Sequence, residues 1–189
     1  MEEIVPVALK EKKGIMDKLW PLLLTLGIFV LDQGTKFLIV KFITPYTIGA
    51  SFLNGFLRIV HVSNNAIAFS IGSGLPDIVR YVSFAIIPLL VLFIVLIVYF
   101  RSDDFSTVQR WCICGIMGGG FGNIFDRFFR TEGVVDFIDF RFFGIFGFER
   151  FPTFNIADMS IVISGILLLI SFIMTFSEDS KEKKEEGDK

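Results

Sequence analysis

The sequence predicts an all-α membrane protein: four transmembrane helices with a small extracytoplasmic, β-containing cap formed by two outer loops. Three observations lead there. The 189-residue chain has a mean hydropathy of +0.67, too apolar for a water-soluble domain. Four stretches are each long enough to cross a bilayer, which takes roughly 20 mostly apolar residues. Between the first two, "FLRIVHV" (Phe56 to Val62) has the β-branched alternation of a strand.

The first span is expected at about 19–40, "LWPLLLTLGIFVLDQGTKFLIV". It is too long for a cleaved leader, and its far end holds Asp32 and Lys36. The second, at about 78–100, is the cleanest. The third, at about 108–128, is the weakest by hydropathy; Gly115 and Gly118 to Gly120 point to close packing against a neighbouring helix. The fourth is expected at about 154–176. Residues 1–176 thus read as a single integral membrane domain, and the charged tail 177–189 as disordered.

Lys10, Lys12, Lys13 and Lys18 at one end, the lysine-bearing tail, and Arg101 and Arg110 between spans two and three predict cytoplasmic termini. Two loops then lie outside, from about Lys41 to Asp77 and from about Phe129 to Thr153. The second is rich in phenylalanine, whose rings are expected either to dip into the headgroup region or to pack as a small core. The net charge of −2 gives no reason to expect nucleic acid. Cys112 and Cys114, two apart on a helix, are not expected to form a disulfide, and no ligand set with zinc spacing is present, so neither metal nor cofactor is expected.

Ionisable residues inside apolar spans are functional candidates, because each is costly to place there. Asp32 and Lys36 are i and i+4 on one helix face, and a mutually neutralising ion pair is the competing explanation. In "GNIFDRF", Asn123 and Arg127 share a face, while Asp126 lies on another and is free to pair with a different helix. Asn155 and Asp158 occupy the entering turn of the fourth span, and Asn64 in "SNNAIAFS" reads equally as a turn residue. Asp136 follows the exit of the third span and Asp158 the entry of the fourth, so both belong near the outer interface. Two carboxylates held close share a proton; one then serves as general base on water and the other as acid. In an extended segment Asp139 faces away from Asp136, their offset being odd.

In these residues the chain resembles the bacterial lipoprotein signal peptidases, signal peptidase II. "LDQGTK" (Leu31 to Lys36), "NNAIAFS" (Asn64 to Ser70), "GGGFGNIFDR" (Gly118 to Arg127), "GVVDFID" (Gly133 to Asp139) and "FNIAD" (Phe154 to Asp158) follow the family's boxes in order. Ala66 departs from the pattern, standing where the family usually has Gly. The resemblance implies an aspartic endopeptidase with Asp136 and Asp158 catalytic. Asp32, Lys36, Asn64, Asn123, Arg127 and Asn155 would line or brace the substrate-binding site. It also implies prolipoprotein substrates carrying a diacylglyceryl cysteine, cleaved before that cysteine, contact with membrane lipids, and inhibition by globomycin-type peptides. A monomer in the bacterial inner membrane, with its active site at the outer face, is expected.

The rival readings are a Ser–Lys peptidase built on Lys36 with Ser63 or Ser70, a transporter or proton relay using the same carboxylates, and a non-catalytic assembly factor. His61, the single histidine, is expected at a surface or interface rather than as a base.

Overall fold

Helix α5 (Thr107–Phe129) is the centre of the computed structural model, which describes residues 14–64 and 74–187. Ser106 starts it through a capping box: its Oγ accepts from Gln109 N at 3.2 Å, and its N donates to Gln109 Oε1 at 2.9 Å. Around it stand α1 (Ile15–Leu19) and α2 (Leu22–Phe42), then α3 (Asp77–Tyr81) and α4 (Ile87–Arg101), then α6 (Ile156–Gly187). Val82–Ile86, between α3 and α4, forms a π-turn.

Among the described residues, three runs are long and apolar enough to cross a membrane: Ile15–Phe42, Asp77–Arg101 and Ile156–Ser177. Helix α5 has the length, at 23 residues, but hydropathy does not carry it as the expected fourth span. The physical reason is its position. Its polar side chains Gln109, Arg110 and Asp126 are buried against its neighbours, so it need not be apolar all round.

The glycines of α5 let those neighbours approach. A Cβ at Gly119 would collide with the carbonyl of Ala157 on α6, and one at Gly122 would lie 2.6 Å from Asp32 Oδ2 on α2. Side-chain hydroxyls lock the same contacts. Thr25 Oγ1 donates to Cys114 O and Ser160 Oγ to Gly115 O, each at 2.8 Å. At the opposite end from the sheet, Tyr99 Oη donates to Lys18 O at 2.7 Å and Arg110 donates to Tyr99 O and Ser102 O.

Helix α6 continues to Gly187. The segment is rich in Lys and Glu, residues with good helix propensity, and it extends an established helix without a new nucleation step.

The two outer loops meet in one antiparallel sheet of β1 (Ile48–Phe52), β2 (Leu57–Asn64) and β3 (Val134–Phe140), in the order β1-β2-β3. Val62 lies opposite Asp136 and Arg58 opposite Asp139. A bulge between Ile59 and Val62 shifts the register. Part of the phenylalanine-rich loop packs as a small aromatic core. Phe140 stacks on Phe151 at 4.9 Å with Phe154 edge-on to both, while Phe143 and Phe146 are exposed. His61 lies buried at the interface of β2 with the end of α2, where its Nδ1 is 2.7 Å from Ile43 O.

Candidate active site

Asp158 is fixed by the start of α6. Asn155 precedes the helix, and its Oδ1 accepts from Asp158 N at 2.9 Å. Asp158 Oδ2 in turn accepts from Asn155 N at 3.2 Å, completing a reciprocal cap. Asp158 Oδ1 accepts from Asn123 Nδ2 of α5 at 2.7 Å. A carboxylate in the first turn of a helix is also favoured by the helix dipole.

Asp136 comes from the sheet. Its Oδ2 accepts from Asn64 Nδ2, across the strand pair, at 2.9 Å, and its Oδ1 from Asn155 Nδ2 at 2.8 Å. Asn155 therefore touches both aspartates. Burial pushes the Asp136 carboxyl up to about 7. The amides of Asn64 and Asn155 pull the other way, and the nearby Asp158 charge adds to the rise.

Behind the pair is an ionic brace. Lys36 Nζ lies 2.8 Å from Asp32 Oδ2 and 2.8 Å from Asp126 Oδ2, and donates to Asn123 Oδ1 at 3.0 Å. All three charged side chains have no solvent exposure. The two carboxylates reach the backbone beside the two site aspartates. Asp32 Oδ1 accepts from Ala157 N at 3.0 Å, and Asp126 Oδ2 from Val135 N at 3.3 Å. Each bond holds the residue immediately before a site aspartate. Gln33 Nε2 spans Asp32 and Asp126, at 3.1 Å to each.

The structure thus brings all eight predicted residues into one assembly. Asn64, Asn123, Arg127, Asp136 and Asp158 line a cleft of about 600 Å³. Asp32, Lys36 and Asn155 are fully buried and brace it. Arg127 lies 5.5 Å from the Phe84 ring, within the field of both site aspartates. Apart from Thr153 the rest of the cleft is apolar, with Val134, Phe140, Phe151, Met159 and Val162 among its walls. Asp139 faces elsewhere, held by Arg150 Nε at 2.6 and 2.7 Å. Residues 65–73, including Ala66 and the rest of the "NNAIAFS" box, lie outside the described residues.

Two participants were not among the predicted site residues. Asp126 showed itself in the sequence only as a carboxylate off the Asn123–Arg127 face. Gln33 adjoins Asp32 and gave no signal of its own.

Residues 24–174 match the family described as Signal peptidase (SPase) II. The chain is 50% identical over 155 residues to the lipoprotein signal peptidase of Treponema pallidum, covering 82% of this chain and 83% of that one. It is 44% identical over 164 residues to that of Treponema denticola, covering 87% and 92%. A bacterial membrane enzyme solved by the in meso method superposes with a TM-score of 0.72 at 29% identity, over 90% of this chain and 95% of that one.

Proposed function

This chain belongs to the signal peptidase II family, membrane proteases that remove signal peptides from prolipoproteins, and from that premise we propose that it cleaves by aspartic chemistry with Asp136 and Asp158 as the catalytic pair. It is a multi-pass inner-membrane protein. The observation that carries the aspartic reading is the Asn155 bridge: one side chain caps the helix bearing Asp158 and donates to Asp136 at 2.8 Å.

In this reading Asp136, buried and with its carboxyl raised to about 7, holds the shared proton. Asp158, at a helix N-terminus, is the ionised partner. Asp158 takes a proton from water as the water oxygen bonds to the scissile carbonyl carbon, and Asp136 gives its proton to the carbonyl oxygen. The C–N bond then breaks. Asp158 returns its proton to the leaving nitrogen, and Asp136 recovers one from the hydroxyl that becomes part of the new carboxyl group, so the pair is restored. Asn64, Asn123 and Arg127 orient the substrate backbone in the cleft.

The apolar walls supported by α6 and the sheet suit a substrate whose cysteine carries a diacylglyceryl group, cleaved before that cysteine. Its acyl chains would keep the scissile bond near the membrane surface. Helix α5 completes a fourth span, both termini are cytoplasmic and the pair lies at the outer face. The lysines flanking the chain support that orientation. The enzyme acts as a monomer, and globomycin-type peptides compete for the same cleft. A transporter or proton relay has no support among the relatives.

The test is hydrolysis of a diacylglyceryl-modified lipobox peptide by purified protein in detergent. Asp136→Asn and Asp158→Asn should each be inactive while still folded; near-normal turnover in either would sink the mechanism.

A further inference from the structure

A second cavity opens at the sheet end of the bundle, on the other side of Arg127 from the catalytic cleft. It has a volume of about 340 Å³, at the small end of ligand sites. Arg80, Arg127 and Arg130 line it, and among the described residues of its walls Asp77 is the one carboxylate. Arg80 pairs with Asp77, and Asp126 engages Arg130 at 2.9 Å through Nε, only one of several N–H donors on the guanidinium fork. Three guanidinium groups line the cavity against one lining carboxylate, with Asp126 behind Arg130 and Asp136 and Asp158 on the cleft side of Arg127, a lining suited to an anion. Geometry narrows the anion. Tyr81 and Phe84 belong to the same wall, Phe84 lies under Arg127, and Tyr81 packs edge-on against Phe128 at 5.6 Å. A tyrosine such as Tyr81 at the end of a spanning helix marks headgroup depth. The wall is also where the helix departs into the π-turn Val82–Ile86, a distortion that recurs at functional sites.

We propose that this cavity binds the phosphodiester of an anionic phospholipid of the outer leaflet, held by Arg80 and Arg130 with Arg127 shared between lipid and catalytic cleft. Guanidinium forks match phosphate oxygens in pairs. A bound headgroup occupies the far side of Arg127 and so fixes the side chain that faces the substrate. The site is independent of which aspartate does the chemistry.

The experiment reads lipid, not cleavage. The full-length wild-type protein is reconstituted in vesicles of equal phosphatidylcholine and phosphatidylglycerol, extracted gently, and its retained lipid counted by native mass spectrometry. Phosphatidylglycerol should be enriched at least about threefold over phosphatidylcholine. Arg80→Gln should lose most of that enrichment and Arg80→Lys keep part of it, with thermal unfolding confirming that each variant is folded. A parallel titration with soluble glycerophosphate separates a free phosphate from a lipid. Equal retention of the two lipids by the wild type would overturn the proposal. So would enrichment that survives in a folded Arg80→Gln, or glycerophosphate binding without lipid enrichment.

Discussion

Asn155 donates its side-chain amide to Asp136 at 2.8 Å while its carbonyl oxygen caps the turn that carries Asp158 at 2.9 Å. One residue therefore sets the relative position of a strand carboxylate and a helix carboxylate. Because Asn155 is fully buried, its amide has no water with which to exchange either bond.

The third carboxylate of the region provides the control for the catalytic pair. Asp139→Asn should retain substantial peptidase activity, because Asp139 is bound to Arg150 and faces away from the cleft. Its cost should appear as a lower unfolding temperature, from a buried charge pair broken on one side. Kinetics and thermal unfolding measured together check this; loss of turnover without loss of stability would move Asp139 into the mechanism.

Activity should fall as pH rises above about 7, when Asp136 loses the proton it supplies. Stability should follow the same group. The folded-state value of about 7 lies above the unfolded value of roughly 4. The contribution is therefore fully present below pH about 4 and is lost as pH rises through about 7. Asp136→Asn, which cannot ionise, should flatten that decline. Unfolding curves of both proteins between pH 4 and 8 make the comparison.

Lys36→Met should lower activity and stability together. It strands two buried carboxylates, Asp32 and Asp126, and breaking a buried pair costs about 3–5 kcal/mol. Gly122→Ala is the gentler probe, since its Cβ would lie 2.6 Å from Asp32 Oδ2 and displace the brace. We expect it to reduce turnover at least about tenfold with helix content kept. Circular dichroism alongside the cleavage assay reads both quantities.

A peptide with an unmodified cysteine should be cleaved poorly even at high concentration. Each buried CH₂ is worth about 0.8 kcal/mol, although much of that energy already holds the lipid in the membrane. Phe151→Ala, which removes one apolar wall of the cleft, should raise KM for the lipidated peptide more than it lowers kcat. Equal cleavage of lipidated and unlipidated peptide by the wild type would refute acyl-chain recognition.

The parts whose cause is local were legible in the order of the amino acids. Apolar runs defined three spanning helices, and alternation defined the strand through Val60. The i, i+4 spacing of Asp32 and Lys36 placed an ammonium beside a carboxylate, and Asn155 with Asp158 marked a helix start. What depends on docking emerged only from the packed fold. That Asp126 completes the Lys36 pair, that Asp32 and Asp126 hold the amides of Ala157 and Val135, and that His61 is buried under the end of α2 all require elements distant in the chain to meet. Spacing along a helix fixes which side chains share a face. It does not say which other helix that face will meet. The same reason explains α5, whose low hydropathy is intelligible only once its polar side chains are seen turned inward against its neighbours.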